Sequence, residues 1–333
     1  MFYEMNTYEQ RVQEQIAQYA HVENIHDLPQ VFHLWSRRFL RPGLKEVFGT
    51  ETVEGFYASA VADIRTKEPK RIFSIGCGDG WLEIALAKLL LAGGDRSFEI
   101  VASDLSPILI GRFEEKIASA GIRQYFNVSI ADSNTTTIPG TFDVIIANHV
   151  LHHITGLESL FADVKRSLKP GGIFATNDMI GRNGHMRWPE VAAFVRAYWQ
   201  FLRPEQRYNA QLQRPEPEFM DHDCSSQGFE GIRAQDILPL LLSTFHPRRF
   251  FADGGLIDVF VDRSYGHGLR IDRADDCALI EHIGEVNELL LDGALIKPTI
   301  MFGHFVTESS DERYYRNRRA ASCVRMTDVS AQT

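Results

Sequence analysis

Cysteine is scarce in this chain of 333 residues: Cys77, Cys224, Cys277 and Cys323 stand far apart, with no CxxC pair and no Cys/His ligand spacing. Neither a disulfide framework nor a zinc site is suggested, and reduced thiols in a cytoplasmic protein are expected. Long apolar runs are missing too. No stretch reaches the length of a membrane span, and the opening MFYEMNTYEQRVQEQ lacks a basic segment followed by an apolar one. A soluble, non-secreted protein with no membrane partner is expected. Positive charge is in deficit, 35 Lys and Arg against 44 Asp and Glu. A net charge of −9 repels phosphate, so no nucleic acid partner is expected. The one dense basic run, Arg313, Arg316, Arg318 and Arg319, falls in a tail over 309–333 that reads as a solvated, mobile end.

Hydrophobic residues make up 44% of the chain, enough for a core domain with an added cap. Residues 1–66 read as a helical lead-in or cap, with helical periodicity at 7–20 and 52–65. From Arg71 the texture changes to short β-branched runs alternating with amphipathic segments: RIFSI, WLEIALAKLLL, FEIVAS, ILIGRFEEKIASA, YFNVSI, FDVIIAN, LESLFADVKRSL and GIFATND. Strand and helix alternating at that spacing predict a doubly wound, mostly parallel α/β sheet with its core over 67–180. An aromatic-rich insertion over 181–231 carries one helix and a loop, suited to a lid over an acceptor site. The α/β pattern returns over 232–308, where PRRFFA and KPTIMFGHFV read as strands.

Residues 72–80, IFSIGCGDG, run from an apolar strand into Gly76, Gly78 and Gly80. A dinucleotide fingerprint needs G-x-G-x-x-G, and Trp81 stands where its third glycine would be. A phosphate-binding P-loop is excluded because no Gly-Lys-Ser/Thr follows. What remains is a sharp turn with little side-chain bulk, suited to a ligand that lies close to the backbone and carries no pyrophosphate.

These residues resemble the class I S-adenosylmethionine-dependent methyltransferases, in their broad small-molecule group. IGCGDG matches the family's first motif, FDVIIANHVLHHI its fourth-strand motif and LKPGGIF the turn into the fifth strand. The resemblance implies a seven-stranded Rossmann-like sheet with an antiparallel last strand, and S-adenosylmethionine as cofactor. It implies that Gly76, Cys77, Gly78 and Gly80 pack against the methionine half of the cofactor. Asp104, beside Leu105, would accept from both ribose hydroxyls, a task for an acceptor-only group. Asp132, with Ser133, would accept from the adenine amino group, and Asn148 would line the same site. One departure stands out: the family commonly carries an acid two residues before the first glycine, where this chain has Ser74. Glu83 or a backbone carbonyl is the candidate replacement.

On the acceptor side, His149 and His152 are the candidate catalytic residues, because an imidazole can remove the acceptor's proton. His153, next along, reads as structural. The HxxHH spacing is not taken as a metal site, since no carboxylate stands in HExxH arrangement. Asn177, Asp178, His185, Arg187, Trp188, Tyr265 and His267 are candidate substrate-binding residues. Methyl transfer is then an in-line displacement, with the protein aligning the nucleophile and excluding water. The acceptor is a small molecule of unstated identity, and a homodimer stays open. The rival from another class is a cofactor-binding regulatory or scaffolding protein without turnover. A DNA amino-methyltransferase would carry Asn/Asp-Pro-Pro-aromatic after the fourth strand, where this chain has Asn148-His149-Val150-Leu151.

Overall fold

The β-branched runs do form strands, and the amphipathic segments the helices between them. The structure, a computed structural model, describes residues 7–20, 28–226 and 228–325. Four helices lead in: α1 (Tyr8–Ala20), α2 (Gln30–Trp35), α3 (Arg41–Phe48) and α4 (Val53–Asp63), with a π-helical turn at Ser36–Leu40 between α2 and α3. The core then runs β1 (Lys70–Ile75), α5 (Trp81–Ala92), β2 (Phe98–Asp104), α6 (Pro107–Ser119), β3 (Phe126–Ile130), β4 (Phe142–Asn148), α7 (Leu157–Ser167) and β5 (Leu168–Met179).

The insertion contributes α8 (Pro189–Trp199) and a short hairpin, β6 (Tyr208–Asn209) with β7 (Arg214–Pro215). The chain returns through α9 (Ala234–Thr244), β8 (His246–Asp253), α10 (Asp258–Val261), α11 (Ala274–Asp292) and β9 (Ile300–Val306). It closes with β10 (Arg313–Tyr314) and α12 (Ala320–Cys323).

The main sheet has the order β10-β8-β9-β5-β4-β1-β2-β3. Strands β1 to β5 are parallel, and β9 runs antiparallel to both β5 and β8. The antiparallel strand is where KPTIMFGHFV was expected. The count is eight rather than seven, because Arg313 and Tyr314 add an edge strand beside β8. Strand order reverses at β1, which pairs with β2 on one side and β4 on the other. Ligands in open α/β sheets bind at the carboxyl ends beside such a switch point, and the glycine turn and NHVLHHI both lie there.

Strand β4 explains why that point is rigid. Phe142 to Ala147 are buried, as a parallel strand covered on both faces requires. Helix α4 covers its end. Thr52 caps α4 by accepting from the Gly55 N–H, and buried Phe56 and Tyr57 face the sheet. Each such apolar ring contributes about 1.5–3 kcal/mol of burial. The Tyr57 hydroxyl, with its single proton, lies within hydrogen-bond distance of two acceptors, Ala147 O at 3.0 Å and Asn148 Oδ1 at 3.2 Å, fastening the lead-in to the strand end.

The tail corrects the sequence reading. Arg318 is 3% exposed, and its guanidinium pairs with Glu288 at 2.8 Å and Asp292 at 2.9 Å. Arg316 pairs with the same two carboxylates. These acids come from α11, so Arg318 and Arg316 are long-range counter-charges rather than part of a loose end, while Arg313 and Arg319 are exposed. Residues 326–333 of the expected tail lie outside the described residues.

Candidate active site

The glycine turn is held open from beneath. Gly76, Gly78 and Gly80 all have positive φ, which favours glycine. A Cβ on Gly76 would sit 2.3 Å from Val150, so that glycine allows the turn to pack against the segment after β4. A Cβ on Gly78 would meet nothing within 4 Å, so one face of the turn lies open. Asp104 ties the turn to β2: Oδ2 accepts from the Gly78 N–H and Oδ1 from the Ser106 N–H, each at 2.8 Å. Each oxygen keeps a second lone pair for a hydroxyl donor. Burial pushes the Asp104 carboxyl up, against these backbone bonds.

Ser74 is buried, and its hydroxyl donates to Glu83 Oε1 at 2.6 Å. Glu83, in the first turn of α5, is 2% exposed, and its Oε2 has no hydrogen-bond partner among the described residues. Burial raises its pKa to about 7. An open glycine face, a carboxylate with spare acceptor capacity and an idle buried carboxylate oxygen are features that fit a nucleoside carrying a cationic amino-acid end.

At the far end of the cleft, Asp132 Oδ1 accepts from the Asn134 N–H, and the Tyr8 hydroxyl donates to Oδ2 at 2.5 Å. Ser133 and Leu105 are part-buried neighbours in the same turns. Helix α1 thus reaches the expected adenine site. It also holds the insertion, where Glu14 and Gln15 accept from the Gly228 and Phe229 N–H groups.

On the acceptor side the structure gathers His149, His152 and His185 and adds Glu230. Asp178 organises them. Its Oδ2 accepts from the Val150 and Leu151 N–H groups, and its Oδ1 from the Met179 N–H and from His152 Nδ1 at 2.6 Å. His152 Nε2 lies 3.5 Å from Glu230 Oε1, which His185 Nε2 also approaches to 2.7 Å. Burial alone would lower the His152 pKa, but Asp178 and Glu230 outweigh it and raise it to about 10. Burial would raise Glu230, yet His152 and His185 hold it well below the carboxylate range.

His149 differs. Its N–H donates to Asn177 O at 2.8 Å, and its φ of 50° lies in the left-handed region, a strained setting for a non-glycine residue. Desolvation, against the opposing charge of Asp178, lowers its pKa toward about 4, with His152 and Arg263 adding to the depression. Its side chain keeps a solvent-exposed face, which softens that effect. His153 is pushed down by burial and by the neighbouring His152.

The remaining expected acceptor residues take the following places. Asp178 is fully buried beneath the loop, and Asn177 donates to Asn148 Oδ1 inside the sheet edge. Tyr265 is 4% exposed; its ring packs on Trp199 and its hydroxyl on Glu216, in the interior of the insertion. Trp188 lies under the Arg325 guanidinium, and His267 sits exposed in a 3₁₀ turn. Arg187 pairs with Asp258 at 3.2 Å. Sequence reasoning missed Glu230, Arg263 and Tyr8, which carry no local motif. One atom each of His152, His185 and Glu230 lies within 4.8 Å of the others, so this trio, rather than HxxHH, has the ligand types and spacing of a metal site.

A family model described as a methyltransferase domain matches residues 73–174, from within β1 into β5. An uncharacterized methyltransferase of Synechocystis sp. is 25% identical over 159 residues, 46% of this chain and 69% of that protein. The ubiquinone biosynthesis O-methyltransferase of Methylococcus capsulatus is 34% identical over 103 residues, 31% of this chain and 40% of that protein. Trichosetin synthetase of Gibberella fujikuroi is 26% identical over 216 residues, 62% of this chain and 5% of that protein. Among solved structures, the O-methyltransferase of a polyketide synthase multienzyme from Brevibacillus brevis, in complex with S-adenosyl-L-homocysteine, superposes with a TM-score of 0.47. Identity there is 14%, over 85% of this chain and 81% of that one. The sheet order, the glycine turn and the matched domain define the class: the chain carries a class I S-adenosylmethionine-dependent methyltransferase domain. S-adenosylmethionine is its cofactor.

Proposed function

We propose that the protein transfers a methyl group to a hydroxyl of a small-molecule acceptor, bound between the carboxyl edge of the sheet and the 181–231 insertion. The carrying observation is the buried His152–Asp178 pair, whose second nitrogen, Nε2, faces Glu230 and His185 of the insertion. A base oriented by a carboxylate is the arrangement that proton removal needs. An amine acceptor, already neutral, would not require it. An O-methyltransferase among the relatives supports an oxygen acceptor.

When bound, S-adenosylmethionine supplies an electrophilic methyl on a sulfonium. Asp104 and Asp132 are the residues to hold its ribose and adenine, and the open face at Gly78 its remaining length. Asp178 fixes His152 with its proton on Nδ1, leaving Nε2 to exchange a proton with Glu230 or the acceptor. In the unliganded protein Nε2 carries that proton. The active form is the one that has lost it. An acceptor hydroxyl placed against Nε2 then gives up its proton there as its oxygen takes the methyl. His185 holds Glu230 in place, and the insertion excludes water.

A second reading rests on the His149 state: lowered pKa, solvent-facing, and free of the Asp178 hydrogen bond. On that reading His149 takes the proton, and His152 and Asp178 only shape the loop.

The test is a panel of hydroxyl- and amine-bearing small molecules with methyl-labelled cofactor, read by mass spectrometry. Label on oxygen supports the proposal. Label on nitrogen alone would remove the need for the pair, and cofactor bound but never consumed would favour a regulatory protein.

A further inference from the structure

The Ser74–Glu83 pair is not used by the chemistry above. Glu83 is buried at the foot of the glycine turn, and one oxygen is engaged by Ser74 while the other lies idle. Among the described residues it forms no ion pair, and the charges of Asp104 and Asp79 that act on it share its sign. A buried carboxylate so placed is unfavourable in the unliganded protein, since it has lost water and gained no counter-charge. Its position says what would satisfy it. The residue stands three after Gly80, against β1, next to Cys77 of the turn whose open face lies at Gly78. The cofactor assigned to that turn ends in an amino acid whose α-ammonium is a compact cation with three donors.

We propose that Glu83 is the anionic anchor of that ammonium, with Ser74 as its support: the acid expected on strand β1 is supplied here from helix α5. Oε2 accepts from the ammonium, and the Ser74 hydroxyl holds the carboxylate in the one rotamer that presents Oε2 to the turn. The inference rests on the cofactor assignment and deepens it. It makes a selective claim, because a ligand with the same nucleoside and no amino-acid end should not sense Glu83.

The experiment titrates S-adenosyl-L-homocysteine and 5′-methylthioadenosine into the parent chain and four variants by calorimetry, with thermal melts to confirm folding. A hydrogen bond to a charged group is worth about 1.5–3 kcal/mol, so Glu83→Gln should weaken homocysteine-nucleoside binding by roughly 10–100-fold. Methylthioadenosine affinity should stay within about threefold. Ser74→Ala, which keeps the acid and frees its rotamer, should lose a smaller factor for the first ligand and none for the second.

Ser74→Asp combined with Glu83→Ser returns the acid to the strand and should restore binding to within about fivefold of the parent. Ser74→Ala combined with Glu83→Ser should remain weak. Equal binding of both ligands by the parent and folded Glu83→Gln overturns the proposal, as does an equal loss for both ligands. Should Glu83→Gln fail to fold, failure of the relocated acid to bind more tightly than the Ser74→Ala, Glu83→Ser control overturns it. A parent that binds neither nucleoside overturns the cofactor assignment, and this inference with it.

Discussion

His152 Nδ1 and Asp178 Oδ1 stand 2.6 Å apart at the buried end of β5, and the same carboxylate holds the backbone of Val150 and Leu151. One group therefore sets both the shape of the loop after β4 and the charge of the imidazole. Because His152 is held up at about 10 in the free protein, a role as base requires its proton to leave first. The pH dependence of kcat/KM, which reports the free enzyme, should rise through the alkaline range and level near pH 10. A rate that is flat above pH 7 and falls only in acid would instead assign the base to His149, lowered toward about 4.

Asp104 sustains the turn and, on the proposed reading, also offers acceptors to the cofactor. Asp104→Ala removes the bonds to Gly78 and Ser106 and the acceptor for both hydroxyls. At about 1.5–3 kcal/mol for bonds to a charged group, S-adenosyl-L-homocysteine affinity should fall by at least ~10-fold. Calorimetry checks this, and unchanged affinity in a folded variant would place the ribose elsewhere.

Glu83 gives a stability prediction of definite sign. A carboxyl raised from its ordinary range to about 7 favours folding in its protonated form, so that contribution is present below pH 4.5 and is lost as pH rises through 7. Without cofactor, Glu83→Gln should be more stable than the parent at pH 8, by on the order of 3 kcal/mol from the size of the shift, and the gap should shrink as pH falls through 7 and close below 4.5. A variant less stable than the parent at pH 8 would show that the buried charge is already satisfied within the protein.

Arg318 tests the correction made to the tail. Removing one partner of a buried ion pair costs about 3–5 kcal/mol, so Arg318→Met should lower the melting temperature strongly. Cofactor affinity should not change, since Arg318 contacts β8 and α11. A melting temperature like the parent's would restore the reading of a loosely attached end.

These cases show what a sequence carries. The strand runs, the glycine turn and the places of Asp104 at the end of β2 and Asp132 just after β3 were legible, because periodicity and the residues after each strand are local. The extra edge strand was not, because Arg313 and Tyr314 have no strand-like pattern and pair only once β8 exists. Glu230, distant in sequence from His152, and Tyr8, 124 residues from Asp132, meet their partners only through the fold. Ser74 was the visible irregularity, and Glu83, one of the candidate replacements in the sequence, meets its hydroxyl from nine residues on across a strand–helix contact.

The central claim is tested most directly by methyl transfer from labelled cofactor to an accepted hydroxyl compound, compared between the parent and His152→Gln, with S-adenosyl-L-homocysteine binding measured on both. The account predicts equal binding and a turnover lower by roughly 10²–10⁴-fold in the variant, the range for loss of a positioned base. Parent-like turnover by a folded His152→Gln would contradict it.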